Sequence, residues 1–318
     1  MGKESVTFLQ VDESAAGQRI DNFLLKTFKG IPKSHIYRIL RSGEVRVNKG
    51  RVGAERRLAP GDVVRVPPLR MPPPKEQPVT PPREFAIVFE DDALLVIDKP
   101  AGLAVHGGSG VDFGVIEQLR RARPQAKFLE LAHRLDRETS GLLVIGKKRS
   151  VLTKLHDLFR AGGIEKRYLA LVKGHWRDKL RNIKLPLFKY LTGEGERRVR
   201  VDEAGKPAHS IVRLIERCQT PLGEFSLLEV ELKSGRTHQI RVHLAHLGHP
   251  ILGDDKYGDF ALNKALQKLG LKRMFLHAAS LRLPHPESGE PFQLASPLPG
   301  ELENFMKRIG LACGSTLI

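Results

Sequence analysis

The sequence predicts an α+β protein in two parts, a small basic module followed by a larger domain built on a mixed, largely antiparallel sheet. Three observations lead there. Proline punctuates residues 67–83, PPLRMPPPKEQPVTPPR, so heavily that neither a helix nor a central strand can form, which makes this stretch an extended, semi-rigid spacer. Ahead of it, residues 18–66 carry two short helical patterns and a few alternating strands. Behind it, strand-like apolar runs follow one another at short spacings with helices only here and there, which favours antiparallel pairing over repeated βαβ units. The expected layout is an N-terminal extension over 1–17, a module over 18–66, a linker over 67–83, a domain over 84–305 and a tail over 306–318.

In the module, Asp21 is expected to cap a helix whose Phe23, Leu24 and Phe28 share a face and which Gly30-Ile31-Pro32 ends. Pro32 then opens a second helix with Ile36, Ile39 and Leu40 on its buried side, and Gly43 stands where a C′ glycine stops it. Val45 and Val47 alternate into the turn Asn48-Lys49-Gly50, and Val63 to Val66 supply a closing strand. Lys33, Arg38, Arg41, Arg46 and Lys49 are left for the outside. In the larger domain the strand candidates are 87–89, 94–97, 142–145, 168–172, 211–214, 225–232 and 275–283. Helix candidates are 115–121, 152–159, 239–247 and 262–269.

Composition narrows the partners. With 53 Lys plus Arg against 36 Asp plus Glu, the formal charge is +17, and a field of that sign raises the local concentration of a polyanion such as RNA. An anionic membrane would feel the same attraction, but no basic amphipathic anchor or lipidation signal is present. The N-terminus lacks the apolar core of a secretion signal, and no uncharged apolar run nears the roughly 18 residues of a membrane span. A cytoplasmic protein is expected. The two cysteines, Cys218 and Cys313, are too few for a disulfide framework and fit a reducing compartment.

The most informative segment is His133-Arg134-Leu135-Asp136-Arg137-Glu138-Thr139-Ser140-Gly141. It sets one acid between two arginines on a loop, and the apolar run Leu142 to Ile145 that follows reads as a buried strand. Opposite charge nearby keeps a carboxylate ionised, which suits a nucleophile or weak base more than a proton donor. Downstream, Arg241 lies beside the buried stripe of a helix starting near Thr237 and is the candidate guanidinium for Asp136. Arg236, in the preceding loop, is better placed to meet phosphate. The loop from Val105 through His106 to Gly110 lacks both the P-loop and the dinucleotide-binding patterns. His238, His243, His246 and His249 cluster in sequence without a metal-site spacing, so no metal is expected.

The nonapeptide resembles the signature of the RluA family of RNA pseudouridine synthases. So do Lys166-Arg167-Tyr168-Leu169-Ala170, Gly235-Arg236-Thr237-His238-Gln239-Ile240-Arg241-Val242-His243 and Phe275-Leu276-His277-Ala278, in the family's order. Residues 18–66, with R-I-D-N-F-L, S-G-E-V-R-V-N and P-G-D-V-V, resemble the S4 RNA-binding domain. The resemblance implies a mixed sheet with a central cleft and an isomerisation in which uracil is detached, turned and rejoined through C5. One carboxylate suffices for that, where a glycosidase needs two. It maps the catalytic aspartate onto Asp136 and the tyrosine beside the target base onto Tyr168. Arg134 would replace the extruded base in the RNA stack, Leu276 would wall the uracil pocket, and the His106 loop would edge the cleft near RNA backbone.

The resemblance further implies a monomer that needs no cofactor and acts on 23S ribosomal RNA or large-subunit assembly intermediates. Ile31 to Leu40 and Leu103 to Glu117 look most like the branch that modifies more than one 23S uridine, with a neighbouring 23S branch as the near alternative. A noncatalytic S4-type assembly factor and a metal-dependent nucleic-acid hydrolase are rivals of other classes. The presence of Asp136 and Tyr168 speaks against the first, and the missing ligand set against the second.

Overall fold

The computed structural model of the chain describes residues 5–69, 80–108 and 111–311. Most of the proline-rich linker, Ser109 and Gly110 of the glycine-rich loop, Cys313 and the end of the expected tail lie outside the described residues. The main division of the chain into two compact units falls between Val79 and Thr80.

The first unit joins β1 (Thr7–Gln10), β2 (Arg46–Val47), β3 (Gly50–Arg51) and β4 (Val63–Val66) into an antiparallel sheet in the order β1-β4-β2-β3. The helices α1 (Ile20–Thr27) and α2 (Lys33–Arg41) bury Ile20, Leu24, Ile36, Ile39 and Leu40 together with Val45, just ahead of β2, and Val47, Val64 and Val66 of the strands. Gly43 follows α2 with φ of +73°, and Asn48 and Lys49 turn the β2–β3 hairpin with φ of 48° and 70°, the left-handed pair a tight two-residue turn demands. Lys33, Arg38, Arg41, Arg46 and Lys49 are all exposed.

Two expectations for this unit are corrected. Residues 7–10, expected as part of an extension, pair with residues 63–66; four residues are too few for their alternation to stand out in the sequence. Asp21 does not cap α1, which begins one residue earlier with Arg19 at its N-cap. Asp21 is instead buried, with Arg19 Nε and Nη2 donating to it at 3.2 and 2.8 Å and Tyr37 Oη at 3.0 Å. A buried carboxylate requires such partners, and the Arg19 hydrogen bonds hold its pKa below the ordinary value.

The strands of the second unit are β5 (Ile87–Glu90), β6 (Leu94–Lys99), β7 (Glu130–Leu131), β8 (Ser140–Gly146), β9 (Glu165–Lys173), β10 (Leu180–Ile183), β11 (Leu187–Leu191), β12 (Arg197–Val201), β13 (Ser210–Thr220), β14 (Gly223–Leu232), β15 (Leu276–Pro284) and β16 (Pro291–Ala295). Its helices are α3 (Val115–Ala122), α4 (Arg149–Ala161), α5 (Gln239–His246), α6 (Phe260–Lys268) and α7 (Gly300–Arg308). The main sheet runs β10-β13-β14-β9-β15-β8-β6-β5, with β16 on β15 and β7 on β8. Within it β15 and β8 are parallel, and the other pairs are antiparallel.

Strand alternation decides which face each residue covers. Leu94 and Val96 of β6 with Leu142 and Val144 of β8 join Val151, Leu152 and Leu155 of α4. Their neighbours Leu95, Ile97, Leu143 and Ile145 face the larger cluster that holds α3, α5, α6 and α7. Every residue of β8 is buried, as expected of a central strand covered on both sides. The domain does not stop at 305. Leu302, Phe305, Met306, Ile309 and Leu311 pack into the large cluster, an i, i+3, i+4, i+7 stripe that places α7 and the chain just after it in the core. The hairpin of β11 and β12, absent from the strand candidates above, pairs with itself outside the main sheet.

Gly141, in the second position of β8, has φ of +108°, and a Cβ there would meet the Ala278 carbonyl oxygen at 2.3 Å. The parallel contact of His277 with Ser140 and of Ala278 with Gly141 therefore depends on the absence of a side chain. Gly141→Ala is expected to destabilise the second unit by roughly 2–5 kcal/mol, the sum of backbone strain and overpacking. Chemical denaturation followed by tryptophan fluorescence checks it, and a midpoint equal to wild type would contradict the steric argument.

Candidate active site

The loop that carries Asp136 is fixed by its backbone. His133 Nε2 accepts from the Val144 amide at 3.0 Å, and desolvation, aided by the charge of Lys166, pulls its pKa down to about 3, so the ring stays a neutral acceptor. The Thr139 amide donates to Asp136 O at 3.1 Å and closes a turn. Beneath it two cations hold the carbonyls. Lys99, fully buried, donates to Pro100 O, Leu103 O and Arg137 O at 2.8, 2.8 and 3.1 Å. Arg273 Nη2 donates to Glu138 O at 3.2 Å, Ser140 Oγ at 2.8 Å and Leu276 O at 3.2 Å.

The side chain of Asp136 remains a quarter exposed, with Oδ2 3.3 Å from Arg241 Nη1 and Oδ1 4.0 Å from His238 Nε2. The arginines flanking it in sequence do not pair with it. Arg137 donates to Gly102 O at 3.0 Å and lies near Glu138, while Arg134 is exposed along the cleft. The expected partner, Arg241, does reach Asp136, but its bidentate contact goes elsewhere. Its Nε and Nη2 each donate to Asp254 at 2.7 Å, and Nη2 also reaches Asp255 Oδ1 at 3.2 Å. Arg241 is itself buried at 3 % exposure rather than flanking the stripe of α5. Burial opposes the charges of both Arg241 and Asp254, and the hydrogen bonds between them outweigh it, raising the arginine pKa and lowering that of the carboxyl.

Asp136 opens onto a cleft of about 1520 Å³ bordered also by Tyr168, Leu276, His106, Arg134 and Arg236. The structure thus brings together every site residue expected in the second unit. Tyr168 is buried, and that burial, with the charge of Asp136, raises its pKa. Arg236 donates from Nε to Pro207 O at 3.1 Å. The other two acids on the cleft walls are engaged: Glu117 accepts from the Gly107 and Gly114 amides at 3.1 and 2.8 Å, and Glu130 meets Arg120 at 2.8 Å. Lysines and arginines far outnumber acids here. Lys189 on β11 has its pKa lowered by burial first and then by Arg134, Lys206, Arg197 and Arg236, a crowding of like charge that a polyanion relieves.

Several residues escape a reading of the sequence. Lys99 ends a strand whose first four residues are apolar, the one signal that a cation is buried there. Asp254 and Tyr257 sit in a short acidic segment with no periodicity, and Lys189, Arg197 and Arg198 ride on the unexpected hairpin. The clustered histidines diverge: His238 meets Tyr257, His243 lies between Ser210 Oγ and Leu185 O, and His249 meets Lys173 O.

A basic cleft with a partly exposed carboxylate held beside a buried arginine, on a mixed sheet that follows a small basic module in the chain, has the features of an enzyme that acts on a polyanion such as a nucleic acid. Residues 93–246 match the family model for RNA pseudouridylate synthase, and residues 18–64 match the S4 domain. The chain is 49% identical over 309 residues to ribosomal large subunit pseudouridine synthase C of Pasteurella multocida, covering 95% of this chain and 94% of that one. It is 47% identical over 313 residues to the protein of that name from Escherichia coli strain K12, covering 96% and 97%. Among solved structures it is similar to human RNA pseudouridylate synthase domain containing 4, with a TM-score of 0.58 and 27% identity over 70% of this chain and 92% of that one. The chain belongs to the RNA pseudouridylate synthase family and carries an S4 domain ahead of the synthase domain. It is an isomerase.

The Arg241–Asp254 pair makes a pH prediction. Because the folded-state pKa of Asp254 lies below the unfolded value of about 3.9, its contribution is full above that pH and is lost as pH falls through the folded value. Asp254→Asn is expected to lower stability at pH 7 by about 3–5 kcal/mol, since it strips a buried cation of its main partner. The gap to wild type should narrow below pH 4. Denaturation midpoints from pH 7 to pH 2.5 measure it, and a gap independent of pH would argue against the assignment.

Proposed function

We propose that this protein converts uridines of large-subunit 23S ribosomal RNA to pseudouridine, with Asp136 as the acting carboxylate. The observation that carries the reading is Asp136 itself, a cleft-wall acid on the motif loop that stays partly open to solvent while held 3.3 Å from a buried arginine. Support for the substrate comes from relatives at 47–50% identity named for the ribosomal large subunit. The cleft is lined wholly by residues of the second unit, which supports a monomer as the working form, and ribosomal RNA as substrate supports the cytoplasm as its place.

In this reading the anionic carboxylate acts at the ribose, by attack on C1′ or removal of the 2′ proton, and the bond from C1′ to N1 breaks. The uracil turns and C5 bonds to C1′ as the ester bond to Asp136 breaks or, on the other route, as C2′ takes its proton back; C5 then loses its proton and N1 gains one. No water enters the product. Tyr168 packs beside the base, Leu276 walls its pocket and Arg134 fills the place the base leaves in the stack, offsetting an unstacking cost of a few kcal/mol. Arg236 and the His106 loop meet RNA backbone. In the S4 domain Lys33, Arg38, Arg41, Arg46 and Lys49 give phosphate contacts that add affinity and orientation but little sequence reading.

Asp136→Asn keeps the shape and removes the charge, so pseudouridine formation should vanish while RNA affinity stays within a few fold. Single-turnover assays on a 23S fragment test this, and substantial residual turnover would sink the assignment. Tyr168→Phe should slow the same step by orders of magnitude. The experiment that tests the substrate is mapping of pseudouridine in 23S RNA from cells with and without the gene, where an unchanged map would refute it.

A second measurement isolates the S4 domain. Replacing Arg38, Arg41 and Lys49 with Gln should reduce the slope of log K against log salt by about 2, at ~0.7–0.9 for each phosphate that is no longer neutralised. The rate at saturating RNA should not change. A slope identical to wild type would remove these residues from the interface.

A further inference from the structure

The mechanism above leaves one oxygen of Asp136 without a role. Oδ2 faces Arg241, while Oδ1 faces His238 Nε2 at 4.0 Å. His238 is held in a left-handed backbone conformation, φ +54°, at the start of α5, a strained arrangement for a non-glycine residue that recurs where a side chain must be aimed. Its ring is mostly buried, and its Nδ1 lies 2.8 Å from Tyr257 Oη.

Hydrogen-bond accounting favours one tautomer. The amide of Val199 on β12 donates to Tyr257 Oη at 3.0 Å. An amide can only donate, so that contact occupies an oxygen lone pair, and the hydroxyl uses its own proton as well when it donates to His238 Nδ1. With Nδ1 accepting, a neutral imidazole carries its proton on Nε2, the atom that faces Asp136. The groups around the ring are Asp136 from the motif loop, Arg241 from α5, and Asp254, Lys256 and Tyr257 from the segment after α5; burial foremost keeps the imidazole pKa below its ordinary value.

The same segment serves both oxygens. Asp254 orients Arg241 toward Oδ2, while Tyr257 orients His238 toward Oδ1 and lays its ring 5.2 Å from the Arg241 guanidinium. It is also where the β11–β12 hairpin attaches: Arg198 donates to Lys256 O at 3.3 Å, and Lys256 pairs with Glu196. Val199 stands opposite Lys189 in that hairpin, among the crowded cations of the cleft.

We infer that His238 is a positioning residue, its Nε2–H held toward Asp136 by the chain from Val199 through Tyr257, so that the seating of the basic hairpin is read out in the aim of the carboxylate. This rests on Asp136 being the acting group. Misplacement of a reacting atom by about 1 Å can cost on the order of 100-fold in rate, so loss of the chain should appear in the chemical step.

The test uses full-length protein with 15N-labelled histidine and a 23S RNA fragment. Long-range 1H–15N correlation spectra at pH 7.5, with His238 identified by the signal missing from His238→Asn, should show a neutral ring protonated at Nε2. Tyr257→Phe should mix the tautomers and slow single turnover at saturating RNA about tenfold, with Kd unchanged within twofold. His238→Gln, which can present an amide donor near the Nε2 position, should retain more rate than His238→Ala. A ring protonated at Nδ1, an imidazolium, full rate in His238→Ala, or a loss confined to Kd would each overturn the inference. Asp136→Asn measured alongside separates the two failures: if it stays active, the assignment of Asp136 falls, whereas if it is dead and His238→Ala is not, only the inference about His238 falls.

Discussion

The arrangement of the synthase domain depends on one buried guanidinium. Arg241 cannot be taken from water alone, and the cost of burying it is offset because Asp254 meets it with two parallel hydrogen bonds of 2.7 Å. Those bonds consume Nε and Nη2 and leave Nη1 with a fixed direction. Asp136 sits in that direction, partly exposed and therefore accessible to substrate. A buried pair thus aims an exposed one. Had Arg241 spent its fork on Asp136, the carboxylate would be tied along both oxygens and less free to reach another molecule.

Holding the other partner still requires a rigid loop, and here the backbone rather than the side chains is gripped. Lys99 and Arg273 lie close enough under the loop that the charge of Arg273 adds to burial in pushing the Lys99 pKa down to about 7. Two such cations are tolerable together because each donates to carbonyl oxygens, Arg273 also pairs with Glu301 at 2.9 Å, and Glu138 and Asp136 lie near enough to favour the charge on Lys99. The small residues that close the motif follow from the same packing. Ser140 Oγ accepts from Arg273 and reaches His277 Nδ1 at 2.9 Å, and Gly141 admits the backbone of β15. The motif therefore encodes a loop and its floor together, with Asp136 the part that projects.

Features with local causes are legible in the sequence. The β8 core, the stripe on α2 and the turn at Asn48-Lys49 follow from periodicity and turn chemistry, and the antiparallel character of the sheet follows from short connections. Asp136, Tyr168 and Arg241 stand out by motif and do converge on one cleft. Long-range pairing is not legible. Nothing in the spacing of Asp254 from Arg241 says that they meet, and the motif arginines look like partners of Asp136 because they are near it in sequence, although Arg137 turns to Gly102 O and Arg134 lies along the cleft. Asp21 looks like a helix cap because its burial is decided by Tyr37, sixteen residues on. The hairpin of β11 and β12 escapes notice because basic residues interrupt its alternation, and those charges suit a cleft wall rather than a core.

The charge distribution assigns different tasks to different parts of the molecule. Cations crowd the cleft: burial first, and then the charges of Arg134, Lys206, Arg197 and Arg236, lower the pKa of Lys189, and a bound polyanion would relieve that repulsion. Yet uridine and pseudouridine carry the same phosphates and the same atoms, so this attraction is equal for substrate, transition state and product. Uniform binding of that kind gathers RNA without speeding the reaction. Acceleration must come from contacts that change as the glycosidic bond breaks, and in the mechanism proposed above those are the contacts of Asp136 and of the groups that aim it. On that reading the many basic side chains set how often RNA arrives, and the few buried groups around Asp136 set what happens to it.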